Sequence, residues 1–217
     1  MLKRERLHKI VEMVNTQGII TVNEIINKLN VSDMTIRRDL DELDKAGKIV
    51  ELASSYINDG DTIFLGPGTT IELLAHFLLN KRIRIVTNNY PAFEILKQSD
   101  SVNIILTGGD FRKNTGALVG PLTNANLKKI NFTKAFISAN GIHNESICTY
   151  NIEEGEAQEI ALNNSRTKYL LLDNKKLNKD DFYVFYNLHD IDYLITDGAI
   201  NKDVKTHYEQ YVNIIVT

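Results

Sequence analysis

From Thr62 to the end of the chain, short β-branched and aliphatic runs alternate with segments of helical periodicity. That alternation restricts the fold more than any other feature. Strands are expected at Thr62–Leu65, Ile83–Thr87, Val102–Thr107, Lys134–Ala139, Lys168–Leu172, Tyr193–Thr196 and Val212–Val216. Helices are expected between them at Thr69–Leu79, Pro91–Gln98, Pro121–Lys129, Glu153–Arg166 and Lys202–Tyr211. Strands separated by helices pair most readily in parallel, so this region reads as an α/β domain on a largely parallel sheet. No internal repeat or low-complexity tract interrupts it.

The first fifty residues follow a different pattern. Leu7, Ile10, Val11 and Val14 recur at helical spacing, with Lys3, Arg4, Arg6 and Lys9 on the other side, and Gln17-Gly18 ends that helix. Thr21 caps a second helix, and Glu24 three residues later completes a capping box. Ile25, Ile26 and Leu29 face inward, and Asn30 closes it. Ser32 then caps a third helix, whose stripe is Val31, Ile36, Leu40 and Leu43 and whose end is expected at Ala46-Gly47. Three helices with a tight turn before the last make a helix-turn-helix. Thr35, Arg37 and Arg38 fall off the stripe in the first two turns of the third helix, where such motifs meet DNA. Arginine can bridge a guanine edge or hold a phosphate, and threonine can touch a thymine methyl. The candidate DNA-binding residues are Thr21, Ser32, Asp33, Thr35, Arg37 and Arg38. Lys48-Ile49-Val50 is expected to open a small β-wing.

The net charge of −3 is unusual for a DNA binder. Residues 1–50 carry nine Lys/Arg and eight Asp/Glu, and the remainder is acidic, so DNA binding would rest on a local positive face. A hydrophobic content of 43% suits a globular chain with a core. No apolar run is long enough to span a membrane, and no signal-peptide pattern opens the chain. Cys148 is the only cysteine, which excludes an intrachain disulfide and fits a cytoplasmic protein. His8, His76, His143, His189 and His207 lack ligand spacing, so no metal site and no cofactor are expected.

Arg6, Ile10 and Val14, followed by Ser32-x-x-Thr35-Ile36-Arg37-Arg38-Asp39-Leu40, resemble the signature of the DeoR family of bacterial transcription regulators. The resemblance implies a winged helix-turn-helix bound to an operator. One departure is local. In that family a wing closing in His-Gly-Gly and a charged linker helix follow, whereas here Glu51-Leu52-Ala53 comes directly after Val50. Either the chain carries a deletion, or the sequence joins segments across a gap. The second is favoured, because no wing could close in the residues given. The expected division is therefore a DNA-binding domain at 1–50 and an effector domain at 52–217.

In a parallel sheet, ligands sit at the carboxyl ends of strands. The loops there read Gly66-Pro67-Gly68-Thr69-Thr70, Thr87-Asn88-Asn89, Gly108-Gly109-Asp110, Ala139-Asn140-Gly141 and Asp173-Asn174-Lys175-Lys176. Glycine lets backbone approach an anion, and N–H groups and hydroxyls at a helix start bind phosphate. Together these loops suit a small, anionic, hydroxyl-rich ligand. The candidate effector-binding residues are Gly66, Gly68, Thr69, Thr70, Asn88, Asn89, Gly108, Gly109, Asp110, Asn140, Gly141 and Lys176. A dinucleotide fits poorly: the third fingerprint glycine is replaced by Ile71, and no acid follows the second strand.

The loop order resembles the ribose-5-phosphate isomerase and glucosamine-phosphate deaminase fold, which is also the effector fold of the DeoR family. Gly68-Thr69-Thr70 is similar to its phosphate loop, and Leu172-Asp173-x-x-Lys176 to its Asp-x-Ser-Lys segment, whose lysine helps hold phosphate. The catalytic half is thin. Gly108-Gly109-Asp110 stands for an Asp-Gly-Ala-Asp run, and Ala139-Asn140-Gly141-Ile142 lacks the lysine of a Lys-Gly-Gly-Gly run. Glu153, Glu154, Glu156 and Glu159 could supply a carboxylate, but a charge run on a helix reads first as a solvated face. Binding without catalysis is what a sensor requires. The expectation is a non-enzymatic repressor of a sugar-catabolic operon, released from double-stranded DNA by a phosphorylated sugar and acting as a homodimer or homotetramer. The alternative is an isomerase-like enzyme. Asn30–Thr35 and Gly60–Thr70 are most similar to the lactose-controlling branch of the family, which implies tagatose 6-phosphate as inducer.

Overall fold

The computed structural model describes the backbone of residues 1–217 and every side chain except those of Arg4 and Asn15. Arg4, expected on the outer side of the first helix, thus lies outside the described side chains. The chain forms two compact units, Met1–Ala46 and Gly47–Thr217.

The first unit holds α1 (Lys3–Gln17), α2 (Val22–Leu29) and the start of α3 (Asp33–Ser55). Gly18 at φ +73° lets the chain leave α1, and Asn30 in the left-handed region ends α2. Ile10, Ile25 and Ile36 are buried together, with Met13, Ile20, Leu29, Val31, Leu40 and Leu43 packed around them. The expected stripe of α1 ends early, because Val14 is exposed. Arg6 does not decorate the surface as expected: it reaches into the bundle and pairs with Asp39 on α3.

The third helix also departs from expectation. It does not stop at Gly47 but runs unbroken through Val50-Glu51 to Ser55. Lys48-Ile49-Val50 therefore opens no wing, and among the described residues no strand precedes Thr62. The physical reason is burial. Ile49, Val50, Ala53 and Ile57 recur at helical spacing and sit in the core of the second unit.

The second unit contains β1 (Thr62–Leu65), α4 (Thr69–Phe77), β2 (Arg84–Thr87), α5 (Tyr90–Leu96), β3 (Asn103–Leu106), β4 (Asp110–Arg112) and β5 (Ala117–Val119). These are followed by α6 (Pro121–Leu127), β6 (Phe132–Ile137), β7 (Gly141–His143), β8 (Ser146–Thr149), α7 (Ile152–Asn163) and β9 (Ser165–Leu171). The chain ends with β10 (Tyr183–Asn187), β11 (Tyr193–Thr196), α8 (Lys202–Tyr208) and β12 (Asn213–Val216). The main sheet has the order β12-β11-β9-β6-β1-β2-β3, with every pairing parallel. Alternate residues feed opposite faces. Ile63, Leu65, Ile85, Phe136, Leu171 and Ile195 pack with α4 and α5, whereas Phe64, Val86, Ala135, Ile137, Leu170 and Leu194 pack with α7 and α8.

Two small antiparallel sheets, β4-β5 and β10-β8-β7, were not expected from the sequence. Their strands are only three to five residues long, too short for an alternating pattern to stand out, so they read as loops. Asp110 and Gly141, expected in loops, each begin one of these strands. From β1 the chain winds outward to β2 and β3, then returns to β6 on the other side and proceeds to β9, β11 and β12. The winding direction reverses between β1 and β6, which opens a crevice at their carboxyl ends.

Candidate functional site

The residues singled out from the sequence gather in two places, one in each unit. In the first, Ser32 caps α3: its hydroxyl accepts the Thr35 N–H at 3.3 Å and lies 2.9 Å from the Thr35 hydroxyl. Arg37 Nε donates to Asp33 one turn back at 2.8 Å, and both side chains are largely exposed. Arg38 is exposed, as is Met34. Thus Ser32, Asp33, Thr35, Arg37 and Arg38 share the solvent-facing start of α3, as the sequence implied. Thr21 lies at the start of α2, where it exchanges hydrogen bonds with Glu24: its backbone N–H donates at 2.7 Å and its hydroxyl accepts the Glu24 N–H at 3.3 Å. These contacts hold the Glu24 carboxyl below its ordinary range, the bond from the Thr21 backbone N–H acting most strongly.

Behind this face, Arg6 grips Asp39 with both Nε and Nη2, the latter at 3.1 Å. Asp39 is only 2% exposed, and the fork supplies both of its oxygens with hydrogen bonds that water cannot reach to make. The pair ties α1 to the residue following Arg38 and so fixes how the start of α3 is presented.

In the second unit, the crevice is built around the loop after β1. Gly66 N–H donates to Phe136 O on β6 at 3.0 Å. Gly68, at φ +119°, begins α4 with no side-chain cap. The first-turn N–H groups around Thr69 and Thr70 thus lack intrahelical acceptors, and both threonines are partly exposed. A helix start of this kind suits an anion. Ser138, after β6, lies beside Gly68. Lys176, on a 3-10 turn after β9, donates its Nζ to Ala139 O at 2.8 Å, which brings its charge to the end of β6.

Several of the remaining predicted residues hold this geometry from behind. Asn89 is fully buried; its Nδ2 donates to Gly66 O at 3.2 Å, and its Oδ1 accepts the Ala92 N–H. Asn88, also fully buried, donates to Leu118 O at 3.1 Å and so fastens the β4-β5 hairpin. Gly108 and Gly109 have positive φ, and a Cβ on Gly109 would stand 2.5 Å from Val119 O, so they form the turn into the hairpin. Asp110 is exposed on β4. Gly141 passes so close to Lys179 that a Cβ would meet its carbonyl at 2.3 Å. Asn140 is exposed and donates to Asp181.

Sequence reasoning missed several members of this region. Glu154 is not on a solvated face: it is 7% exposed and accepts from Arg112 Nε at 3.0 Å and from the Thr115 hydroxyl at 2.6 Å. Its neighbour Glu153 is exposed, as a charge run predicts. Arg112 escaped notice because it sits in a three-residue strand. Gln158, one turn beyond Glu154, is buried with its Oε1 3.2 Å from where a Gly66 Cβ would stand. Tyr208, wholly buried on α8, donates to the carbonyl of Ile142 at 3.0 Å and receives the Asn178 N–H at 3.0 Å. It therefore joins the strand after Asn140 to the segment after Lys176. Among the described residues, no group of three or more His, Cys, Asp or Glu could hold a metal ion, and no helix is long and apolar enough to cross a membrane.

Residues 42–198 match the DeoR C terminal sensor domain, and residues 6–52 match the DeoR-like helix-turn-helix domain. The chain is 40% identical over 252 aligned positions to the lactose phosphotransferase system repressor of Lactococcus lactis subsp. lactis, covering 99% of each chain. It is 37% identical to the protein of that name from Streptococcus mutans and 36% identical to that from Staphylococcus aureus strain NCTC 8325, covering 99% of this chain and 100% of each relative. An alignment of 252 positions exceeds the 217 residues here, so the Lactococcus protein carries residues without a counterpart in this chain. Among solved structures, eIF2B beta from Chaetomium thermophilum superposes with a TM-score of 0.50 at 13% identity, over 82% of this chain and 57% of that one. Ribose 5-phosphate isomerase A from Methanocaldococcus jannaschii gives 0.44 at 18% identity, over 61% and 53%. Identities this low bear on fold and not on chemistry.

Proposed function

The chain belongs to the DeoR family of transcription regulators, and on that premise we propose that it represses a lactose-catabolic operon and leaves its operator when tagatose 6-phosphate binds the crevice. One observation carries the reading. The similarity to proteins named lactose phosphotransferase system repressors, 36–40% identical overall, extends over 99% of this chain and so takes in both the helix-turn-helix and the sensor region. Residues 1–50 are the DNA-binding part in this reading, and 52–217 the sensor.

At the DNA end, Thr35, Arg37 and Arg38 meet bases and phosphates, with Ser32 and Thr21 at the two helix starts. A single head of this size binds weakly, so a homodimer or homotetramer engages repeated half-sites and gains avidity. At the sensor end, the phosphate meets the N–H groups and hydroxyls of Thr69 and Thr70, with the Lys176 ammonium beside them. The hydroxyls meet Asp110 at the start of β4 and Asn140 in the loop after β6. The ligand shifts operator affinity only by its differential affinity for two arrangements of the protein, typically ~1–3 kcal/mol. A sensor also fits better than a catalyst. Of the acids of α7 that could supply a base, the buried one, Glu154, is already bonded to Arg112 and Thr115.

A gel-shift titration at fixed salt tests both ends. Arg38→Ala is expected to weaken operator binding by ~1–3 kcal/mol if the arginine reads a base, with Arg37→Ala acting in the same direction. Lys176→Ala should retain operator binding and lose release by tagatose 6-phosphate. Unchanged affinity in both arginine variants sinks the recognition face, and normal release in Lys176→Ala removes that residue from the crevice.

A further inference from the structure

The hairpin formed by β4 and β5 lies against the crevice through a closed circuit of contacts. Asn89 Nδ2 donates to Gly66 O, and the backbone of Asn89 bridges to Ala117. Ala117 stands opposite Arg112 in the hairpin register. Arg112 reaches Glu154 at the start of α7, and Gln158 one turn on abuts Gly66. The circuit returns to the loop where it began, so the Arg112 side chain is linked through Glu154 and α7 to the loop after β1.

How that guanidinium is held decides what it can do. Its Nε is committed to Glu154 Oε1 at 3.0 Å. Its Nη1 lies 3.7 Å from Glu153, which is beyond hydrogen-bond length. Glu154 is itself pinned by the Thr115 hydroxyl, and its backbone N–H is taken by Asn151 at 3.0 Å. The arginine is thus anchored from one edge by a buried, fixed carboxylate, while its outer fork of two nitrogens has no acceptor among the described residues. A fork oriented in this way matches the bidentate geometry of phosphate, and side-chain entropy has already been lost in orienting it.

We propose that Arg112 is an anion-binding residue of the effector site, with Glu154 and Thr115 as its positioning residues. The phosphate of a phosphorylated sugar bound at Gly68–Thr70 accepts from Nη1 and Nη2 while Nε stays on Glu154. The assignment rests on the effector reading above and extends it. It adds a second cation to Lys176, and it ties the ligand's charge to the β4-β5 hairpin.

Calorimetric titration of the full chain with tagatose 6-phosphate, and with unphosphorylated tagatose as a control, tests this. The variants are Arg112→Lys, Arg112→Met and Glu154→Gln. Lysine keeps the charge and can still pair with Glu154 but lacks the fork, so Arg112→Lys should fold with an unchanged melting temperature and bind at least tenfold more weakly. Arg112→Met should lose more, and in both the advantage of the phosphorylated over the plain sugar should shrink. Glutamine keeps an acceptor for Nε, so Glu154→Gln should cost only about two- to fivefold. Two results overturn the assignment: wild-type affinity in Arg112→Lys, or a Glu154→Gln loss equal to that of Arg112→Met with lysine harmless, which would make the pair purely structural. If the wild-type protein binds neither tagatose 6-phosphate nor other hexose phosphates, the effector reading fails and takes this assignment with it.

Discussion

The two units reach stability by different means. The head, residues 1–46, has a small core around Ile10, Ile25 and Ile36 and contains no Phe, Tyr or Trp. It relies on polar devices: the Thr21–Glu24 capping box, the Ser32 cap and the buried Arg6–Asp39 fork. The sensor buries two extensive clusters on opposite faces of its sheet, including a stacked run of Phe136, Tyr169 and Tyr193. Burial there pushes the Tyr169 hydroxyl up to about 12. Small domains bury too little surface to tolerate loose ends, so each cap and ion pair in the head carries a larger share of the total.

The sharpest way to break that contrast is Asp39→Ala. Removing one partner leaves the Arg6 guanidinium, 13% exposed, without its carboxylate, at an expected cost of ~3–5 kcal/mol. That is enough to unfold the head. All tyrosines and phenylalanines lie beyond residue 46, so near-ultraviolet circular dichroism reports on the sensor alone. Protease cleavage within residues 1–46 with an intact near-ultraviolet signal is the expected outcome. Loss of both would show that the two units do not stand independently.

A smaller effect sharpens the comparison from the sensor side. Burial raises the Asp61 carboxyl, but hydrogen bonds from Lys134, the Asn58 N–H and Thr133 outweigh it and hold the carboxyl below its ordinary range. A depressed carboxyl contributes stability above its unfolded value of about 3.9, and that contribution is lost as pH falls through the folded value. Sensor stability should therefore decline below about pH 4, and Asp61→Asn should flatten that acid limb while costing about 1.5–3 kcal/mol at neutral pH. Denaturation midpoints from pH 7 to 3 check it; an acid limb of unchanged steepness in the variant would contradict it. Asp61 sits where β1 begins, at the end of the sheet opposite the crevice, so ligand binding should be unaffected.

The smallest expected effect is Thr21→Ala, at about 1 kcal/mol for a lost cap. In the head it should appear as increased amide exchange in α2, with no change in the sensor. If exchange in α2 does not change, the capping box contributes less than its geometry suggests.

Much of this architecture is legible in the order of the residues. The helix-turn-helix can be read because its signals are local: caps, a tight turn and apolar spacing all lie within a few residues of one another. The strands of the main sheet are readable because buried parallel strands are apolar runs with little else between turns. The wing expectation at Lys48-Ile49-Val50 fails for the opposite reason. Those residues are β-branched or long and suit a strand equally well, and only burial in the sensor core makes them helix. The β4-β5 and β10-β8-β7 strands are too short to stand out, and Arg112 is hidden with them. Glu154 is misjudged because a run of acids on a helix gives no sign of which one points inward.

By itself, the sequence determined the family, the parallel α/β class and the loops at the strand ends, because periodicity, capping and glycine placement act over short stretches. Tertiary structure decided which of those loop residues are open to solvent and which brace the loop from behind, as the buried Asn88 and Asn89 do. It also decided which charges are paired. Arg6 with Asp39, and Arg112 with Glu154, are separated by 33 and 42 residues. No local rule connects residues so far apart; only the packing of helices and strands places one charge within reach of the other.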